Sequence, residues 1–382
     1  MVNVLSFILF GVTPVPVTVR AERSGVALQI VSPDASREYM QLMLGNVRAA
    51  LAKVGVEDAP VRVTLETAHP TPRRTPLAAI VVAVLAALGL APVCPRAVVA
   101  NVAHSGRFEP VRGVFQMLRA LPTSTFVVVA GDDADQAAYV GMDGGPVLAS
   151  AAVRSMHGLM GVLQGMALTC MPQQEAFRVA PKRWSPAPKP AALPTVLSDE
   201  KELLRASAGA ATVLWTLPRN ATGVLLARHI DASLPLLTER EAVEITAIQS
   251  AAGMTRSGAA RERPFRAPHH TVSTAAVIGG GDPLGVGEVS LAHGGVLYLD
   301  DVAELRTGVV DCLCSVLADG CHTVVRGKVR TMLPARPLVV VAVTYPCGCG
   351  ESPCSCSPPL VRSYAERSAR LRAQRSLSLG PA

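Results

Sequence analysis

The chain has 382 residues, 49% of them hydrophobic and 17% charged, which is not the composition of a disordered chain and leaves room for two or three domains with their own cores. Its formal charge of +7 mildly favours polyanionic partners and names none. Nine cysteines spread over this length are not the framework of a small secreted scaffold, so the cytoplasm is the expected compartment. Segment 4–19 is apolar but has no basic stretch ahead of it, and Pro14 and Pro16 interrupt it; it reads as an opening strand pair, not a leader. Strands are predicted at 15–20, 26–31, 61–66, 97–101 and 125–130, and helices at 37–54, 77–88, 111–121 and 134–140, with more helix over 148–164. The run 77–93 approaches membrane-spanning length at about 17 residues, but Ala and Val dominate it and Pro92 ends it, so a buried helix is expected and no membrane partner.

Residues 1–175 thus read as one α/β domain. A linker follows at 176–198, marked by Pro181, Pro186, Pro188, Pro190 and Pro194. A second domain spans 199–345, with apolar, central strands at 211–215, 295–299 and 338–344. The remainder, 346–382, holds a cysteine cluster and a basic tail that forms one helix.

The strand at 211–215 runs into Leu217, Pro218, Arg219, Asn220, Ala221, Thr222, Gly223 and Val224, and a helix follows. Strand, turn and helix are the layout of a phosphate loop, in which amides at the helix start surround the phosphates. The places of the phosphate-binding lysine and the magnesium-binding hydroxyl hold Gly223 and Val224. Arg219 is a partial substitute as an anion contact. Weak or absent Mg-ATP binding is therefore expected from these residues, against the alternative that the turn is kept only for packing. Downstream, the strand through Leu299 ends in Asp300 and Asp301. In a P-loop ATPase the first acid helps hold magnesium and a second polarises the attacking water; the alternative is a pair of solvent-facing caps. Cys347, Cys349, Cys354 and Cys356 are four thiols in the order CxC, four residues, CxC. Four thiolates hold a structural zinc and leave no open position for catalysis; the alternative is a set of reduced thiols.

Several longer strings carry a resemblance. They are Leu234-Pro235-Leu236-Leu237-Thr238, Arg263-Pro264-Phe265-Arg266-Ala267-Pro268-His269-His270-Thr271, Gly287-Glu288-Val289-Ser290-Leu291-Ala292-His293, Pro334-Ala335-Arg336 and Pro346-Cys347-Gly348-Cys349-Gly350. On these the second domain resembles the AAA+ module of the magnesium-chelatase-like family, in the branch linked to bacterial competence and DNA processing. Through Pro33-Asp34-Ala35, Val47-Arg48-Ala49-Ala50-Leu51 and Pro110-Val111-Arg112-Gly113-Val114, the first domain resembles the family's amino-terminal portion, similar in fold to the Lon protease domain (ribosomal S5 domain 2-like). No Ser-Lys pair lies near 73–76, so no peptidase activity is expected.

The resemblance implies a P-loop AAA+ α/β domain with a parallel sheet, ATP-using hexameric rings and branch migration on DNA. It also places 263–293 in inserts facing the ring pore or nucleic acid, where Arg266, His269, His270 and His293 meet phosphate or base; the alternative is that they buttress neighbouring loops. The chain departs from the family at Gly223, Val224, Asp301 (for a longer glutamate), Tyr345 (for an asparagine that senses phosphate) and Cys314 (for an arginine). The family's Asp-Arg-Ile-Asp segment is blurred into Leu371-Arg372-Ala373-Gln374-Arg375, and its helical lid is expected to be missing. The expectation is a degenerate member without ATP hydrolysis on its own, which binds DNA, joins an active AAA+ homologue or self-associates. A weak ATPase of the same family and a non-catalytic interaction module are the alternatives.

Overall fold

A computed structural model describes residues 1–32, 35–57, 59–67, 77–140, 145–146, 148–165, 211–216, 223–254, 258–326, 329–349 and 354–373. The chain divides into two compact units. The first comprises Met1–Ala180, Gln249–Ala259 and Val325–Thr331; the second comprises Pro181–Ile248, Ala260–Val324 and Met332–Ala382. The linker expected at 176–198 and the stretch 73–76 lie outside the described residues.

In the first unit the opening strand pair is a hairpin. Strand β1 (Val2–Phe10) runs antiparallel to β2 (Thr13–Arg23), with Gly11 at φ +63 in the turn. Five further strands, β3 (Gln29–Val31), β4 (Val61–Thr67), β5 (Ala97–Val99), β8 (Phe126–Ala130) and β9 (Ala149–Val153), complete a seven-stranded sheet in the order β3-β4-β2-β1-β5-β8-β9. The short β6 (Asn101–Val102) and β7 (Phe108–Glu109) pair separately. Helices α1 (Arg37–Ala52), α2 (Leu77–Ala87), α3 (Val114–Arg119), α4 (Ala134–Val140) and α5 (Met156–Leu163) accompany the sheet. Every residue of α2 from Leu77 to Leu85 is buried, which is why its sequence lacks a polar face. Among the described residues no helix is long and apolar enough to cross a membrane.

The helix expected over 148–164 is corrected. Its first part is β9, paired in parallel with β8 from Phe126–Ala149 to Ala130–Val153. Its second part is α5, which begins where the Ser155 side chain accepts the Gly158 N–H at 3.2 Å. Ala149, Ala151 and Ala152 suit a helix by propensity, but an open sheet edge took them.

The second unit is built on a parallel sheet of β10 (Ala211–Thr216), β11 (Phe265–Arg266), β12 (Val296–Leu299) and β15 (Val339–Thr344), in the order β10-β15-β12-β11. This is the α/β class with a parallel sheet that the sequence led us to expect. Both faces are covered. Val296, Tyr298, Val339, Val341 and Val343 pack into one apolar cluster, and Leu297, Leu299, Val340 and Ala342 into another. Strands buried on both faces read as continuous apolar runs, as these do. The helices are α6 (Gly223–Ser233), α7 (Glu239–Ala252), α8 (Thr274–Ile278), α9 (Glu288–Leu291), α10 (Thr307–Asp319) and α11 (Pro358–Ala373). A hairpin of β13 (Cys321–Arg326) and β14 (Val329–Pro334) was not anticipated.

Candidate functional site

Ligands in open parallel sheets sit beyond the carboxyl ends of the strands. In the second unit β10 ends level with β15, Thr216 opposite Thr344, and β12 ends at Leu299 beside Ala342. Asp300 and Asp301 therefore emerge at the edge where a phosphate group would be expected. The chain turns sharply there. Asp301 takes φ +46, and the Val302 N–H donates to the Val343 carbonyl at 2.9 Å. A positive φ on a non-glycine residue marks a held conformation, and aspartate tolerates it better than most.

What holds it is a set of phenols. Asp300 Oδ1 accepts the Tyr345 hydroxyl at 2.7 Å and the Tyr298 hydroxyl at 3.2 Å. Asp301 is 2% exposed, and the Tyr364 hydroxyl of α11 reaches both its oxygens at 3.2 and 3.1 Å. Burial, then the Asp300 charge, pushes the Tyr298 hydroxyl far above the ordinary tyrosine range. Burial, then bonding to Glu304 and the Asp301 charge, does the same to Tyr364. Both phenols stay protonated and act as donors. Arg367 of α11 donates to the Ala303 carbonyl at 3.2 Å and pairs with Glu304 at 3.7 Å, holding the helix over the same turn. All three tyrosines belong to one buried cluster with Leu226, Ile230 and Val341.

The site also has a helix start. Gly223 is buried, and Val224 and Leu225 are 41% and 48% exposed. An isopropyl group there offers no oxygen to a cation. Among the described residues at this edge, Gly223 and Val224 bring neither ammonium nor hydroxyl, Asp301 is shut away from solvent, and Asp300 is engaged by two phenols, so these four residues as placed do not complete a Mg-ATP site. Pro218, Arg219, Asn220, Ala221 and Thr222 lie outside the described residues.

The remaining candidates are placed as follows. Arg266 makes a bidentate pair with Glu288, Nε to Oε2 at 2.6 Å and Nη2 to Oε1 at 2.7 Å. His293 is 9% exposed; its Nδ1 accepts the Arg336 N–H at 3.2 Å, so its Nε2 carries the proton toward Glu244, also at 3.2 Å. It thus lies in the interior, between the Arg336 backbone and the Glu244 carboxylate. His269 is exposed, bonds the Thr271 hydroxyl at 2.9 Å and lies 4.0 Å from the His270 ring. Cys314 is half-buried on α10. The sulfurs of Cys347, Cys349, Cys354 and Cys356 all lie within 4.8 Å of one another.

Two features of the site escaped the sequence reading. Tyr364 and Tyr298 were not singled out, although three of only five tyrosines in the chain, Tyr298, Tyr345 and Tyr364, converge here. Arg263 opens the 263–271 string, which gives no sign of its role. It is 7% exposed and donates to the Pro235 and Gly294 carbonyls and to Glu241, which itself caps Thr238. The Thr-x-x-Glu spacing at 238–241 was a readable capping box.

Comparison with known proteins accords with this geometry. A family described as magnesium chelatase, subunit ChlI, matches residues 197–375. An uncharacterized protein of Mycobacterium tuberculosis (strain CDC 1551 / Oshkosh) is 33% identical over 270 residues, 68% of this chain and 51% of the relative. The uncharacterized protein YifB of Escherichia coli (strain K12) is 37% identical over 36% of this chain and 27% of its own length. The competence protein ComM of Haemophilus influenzae is 34% identical over 38% and 28% respectively. The chain spans about half the length of the first curated relatives it matches.

Proposed function

The chain belongs to the magnesium-chelatase-like family, on the side of YifB and ComM, and from that premise we propose that it is a member without ATP turnover of its own. The observation that carries this reading is the phenol-filled acid pair. Tyr345, Tyr298 and Tyr364 occupy the carboxylates that would hold magnesium and polarise a water. The Gly223–Val224 pair at the start of α6 points the same way. Its role is then binding: to DNA, to an active relative with which it shares a ring, or to itself. The exposed His269 ring, tilted against the His270 ring at 4.0 Å, favours nucleic acid, since aromatic faces receive unstacked bases. In this reading the first unit is the Lon-protease-like portion without peptidase activity, and the chain works in the cytoplasm.

The test is nucleotide binding and phosphate release by the purified chain in millimolar magnesium, beside Gly223→Lys/Val224→Thr. The wild type is expected to release no phosphate above background, and the double variant to gain nucleotide binding. Turnover by the wild type that disappears in Asp300→Asn would overturn the reading.

A further inference from the structure

Beyond the acid pair, the four thiols sit in sequence between the two elements that deliver two of its phenols, Tyr345 and Tyr364. We propose that Cys347, Cys349, Cys354 and Cys356 form a closed four-thiolate zinc site, and that the bound ion fastens the start of α11 to the end of β15 so that Tyr345 and Tyr364 stay seated on Asp300 and Asp301.

The sulfur geometry is the first support. The Sγ atoms of Cys347 and Cys354 are 3.2 Å apart, those of Cys347 and Cys349 3.3 Å, and those of Cys349 and Cys354 3.7 Å. Tetrahedral zinc with bonds of about 2.3 Å sets its sulfurs about 3.8 Å apart. The shell needs to widen by only a few tenths of an ångström at its closest edges. The pairs are also more than an ångström beyond the disulfide length of about 2.05 Å, so the cluster is one of thiols. Four sulfurs in a tetrahedral set select zinc or iron over magnesium and calcium.

The surroundings are the second support. Cys347 is buried, Cys349 and Cys356 are partly so, and Cys354 is exposed, which leaves a metal one open side by which to enter. The Cys356 N–H points at the Cys354 sulfur at 3.4 Å, and the Cys349 N–H bonds the Cys356 sulfur. Amide donors of this kind steady thiolates around an ion.

The connectivity is the third. The first CxC lies just beyond Tyr345 on the continuation of β15, and the second lies just before Pro358, where α11 begins. An ion shared between them closes the chain into a loop whose two ends carry Tyr345 and Tyr364. A Cβ on Gly348 would lie 3.7 Å from Leu360 Cδ2 and from Tyr364 Cε2, so the first knuckle rests directly on α11.

The experiment uses the full chain, purified without added metal and without a histidine tag. Elemental analysis is expected to find about one zinc per chain. Replacement by cobalt(II) is expected to give thiolate charge-transfer bands and the intense visible bands of a tetrahedral site. Cys349→Ser and Cys354→Ser each lose most of the zinc and weaken those bands, while Cys94→Ser and Cys312→Ser keep both. Hydrogen exchange after chelation rises across 358–373 and stays unchanged across 77–87. A folded chain that takes up neither zinc nor tetrahedral cobalt overturns the site. So does iron as the native occupant, or full zinc retention by Cys349→Ser and Cys354→Ser. Unchanged exchange across 358–373 on metal removal overturns the fastening role.

Discussion

Buried carboxylates keep their charge only with donors, and Asp301 receives its hydroxyl from Tyr364. Tyr364→Phe keeps the ring in the apolar cluster but withdraws that bond from a residue 2% exposed. Its cost is expected to be about 1–3 kcal/mol, read as a lowered denaturant midpoint at unchanged slope. Glu241 makes a second prediction at this scale. Its bond to the Arg263 guanidinium holds its carboxyl down at about 2, from an ordinary 4.5. The folded value lies below the unfolded one, so the stabilising contribution is complete above about pH 4.5 and is lost as pH falls toward 2. Burial raises Asp231 to about 6, which gives the opposite slope between 3.8 and 6. The comparison of wild type with Glu241→Gln removes that background. The variant's melting temperature is expected to fall less steeply than the wild type's between pH 4.5 and 2.5, and equal slopes would count against the Arg263 bond.

At the level of elements, β11 and β12 are held together at one close approach. The Val296 N–H donates to the Pro264 carbonyl at 2.8 Å, and a Cβ on Gly295 would lie 2.0 Å from that oxygen. Gly295→Ala therefore has to push the strands apart where Arg266 leaves β11 for Glu288. It is expected to destabilise by at least about 2 kcal/mol, a loss visible in thermal unfolding. The elements also separate what a sequence can and cannot declare. Helix α2 and strands β12 and β15 announce themselves by unbroken apolar runs. Strand β9 does not, because its alanines are good helix formers and only β8 beside it decides their conformation. The β13–β14 hairpin is missed for a related reason: neither strand shows the alternation by which a solitary ribbon is recognised.

For the molecule as a whole, the proposed binding of nucleic acid by a chain of net charge +7 would run mainly through phosphates. Affinity for single-stranded DNA is expected to fall roughly tenfold or more between about 50 and 200 mM salt, as measured by fluorescence anisotropy. His269→Ala is expected to weaken binding without changing that slope. Salt-independent binding would argue against phosphate contacts. The α/β class, the parallel sheet and the family strings were all legible in the order of residues, because apolar strand runs and family strings are local patterns. The fate of the acids was not. Asp300 and Asp301 read as a metal and water pair until α11 and the end of β15 bring Tyr364 and Tyr345 onto them from 63 and 45 residues away. Which groups a carboxylate meets at that separation is set by packing, not by sequence neighbours, and only the folded chain decides it.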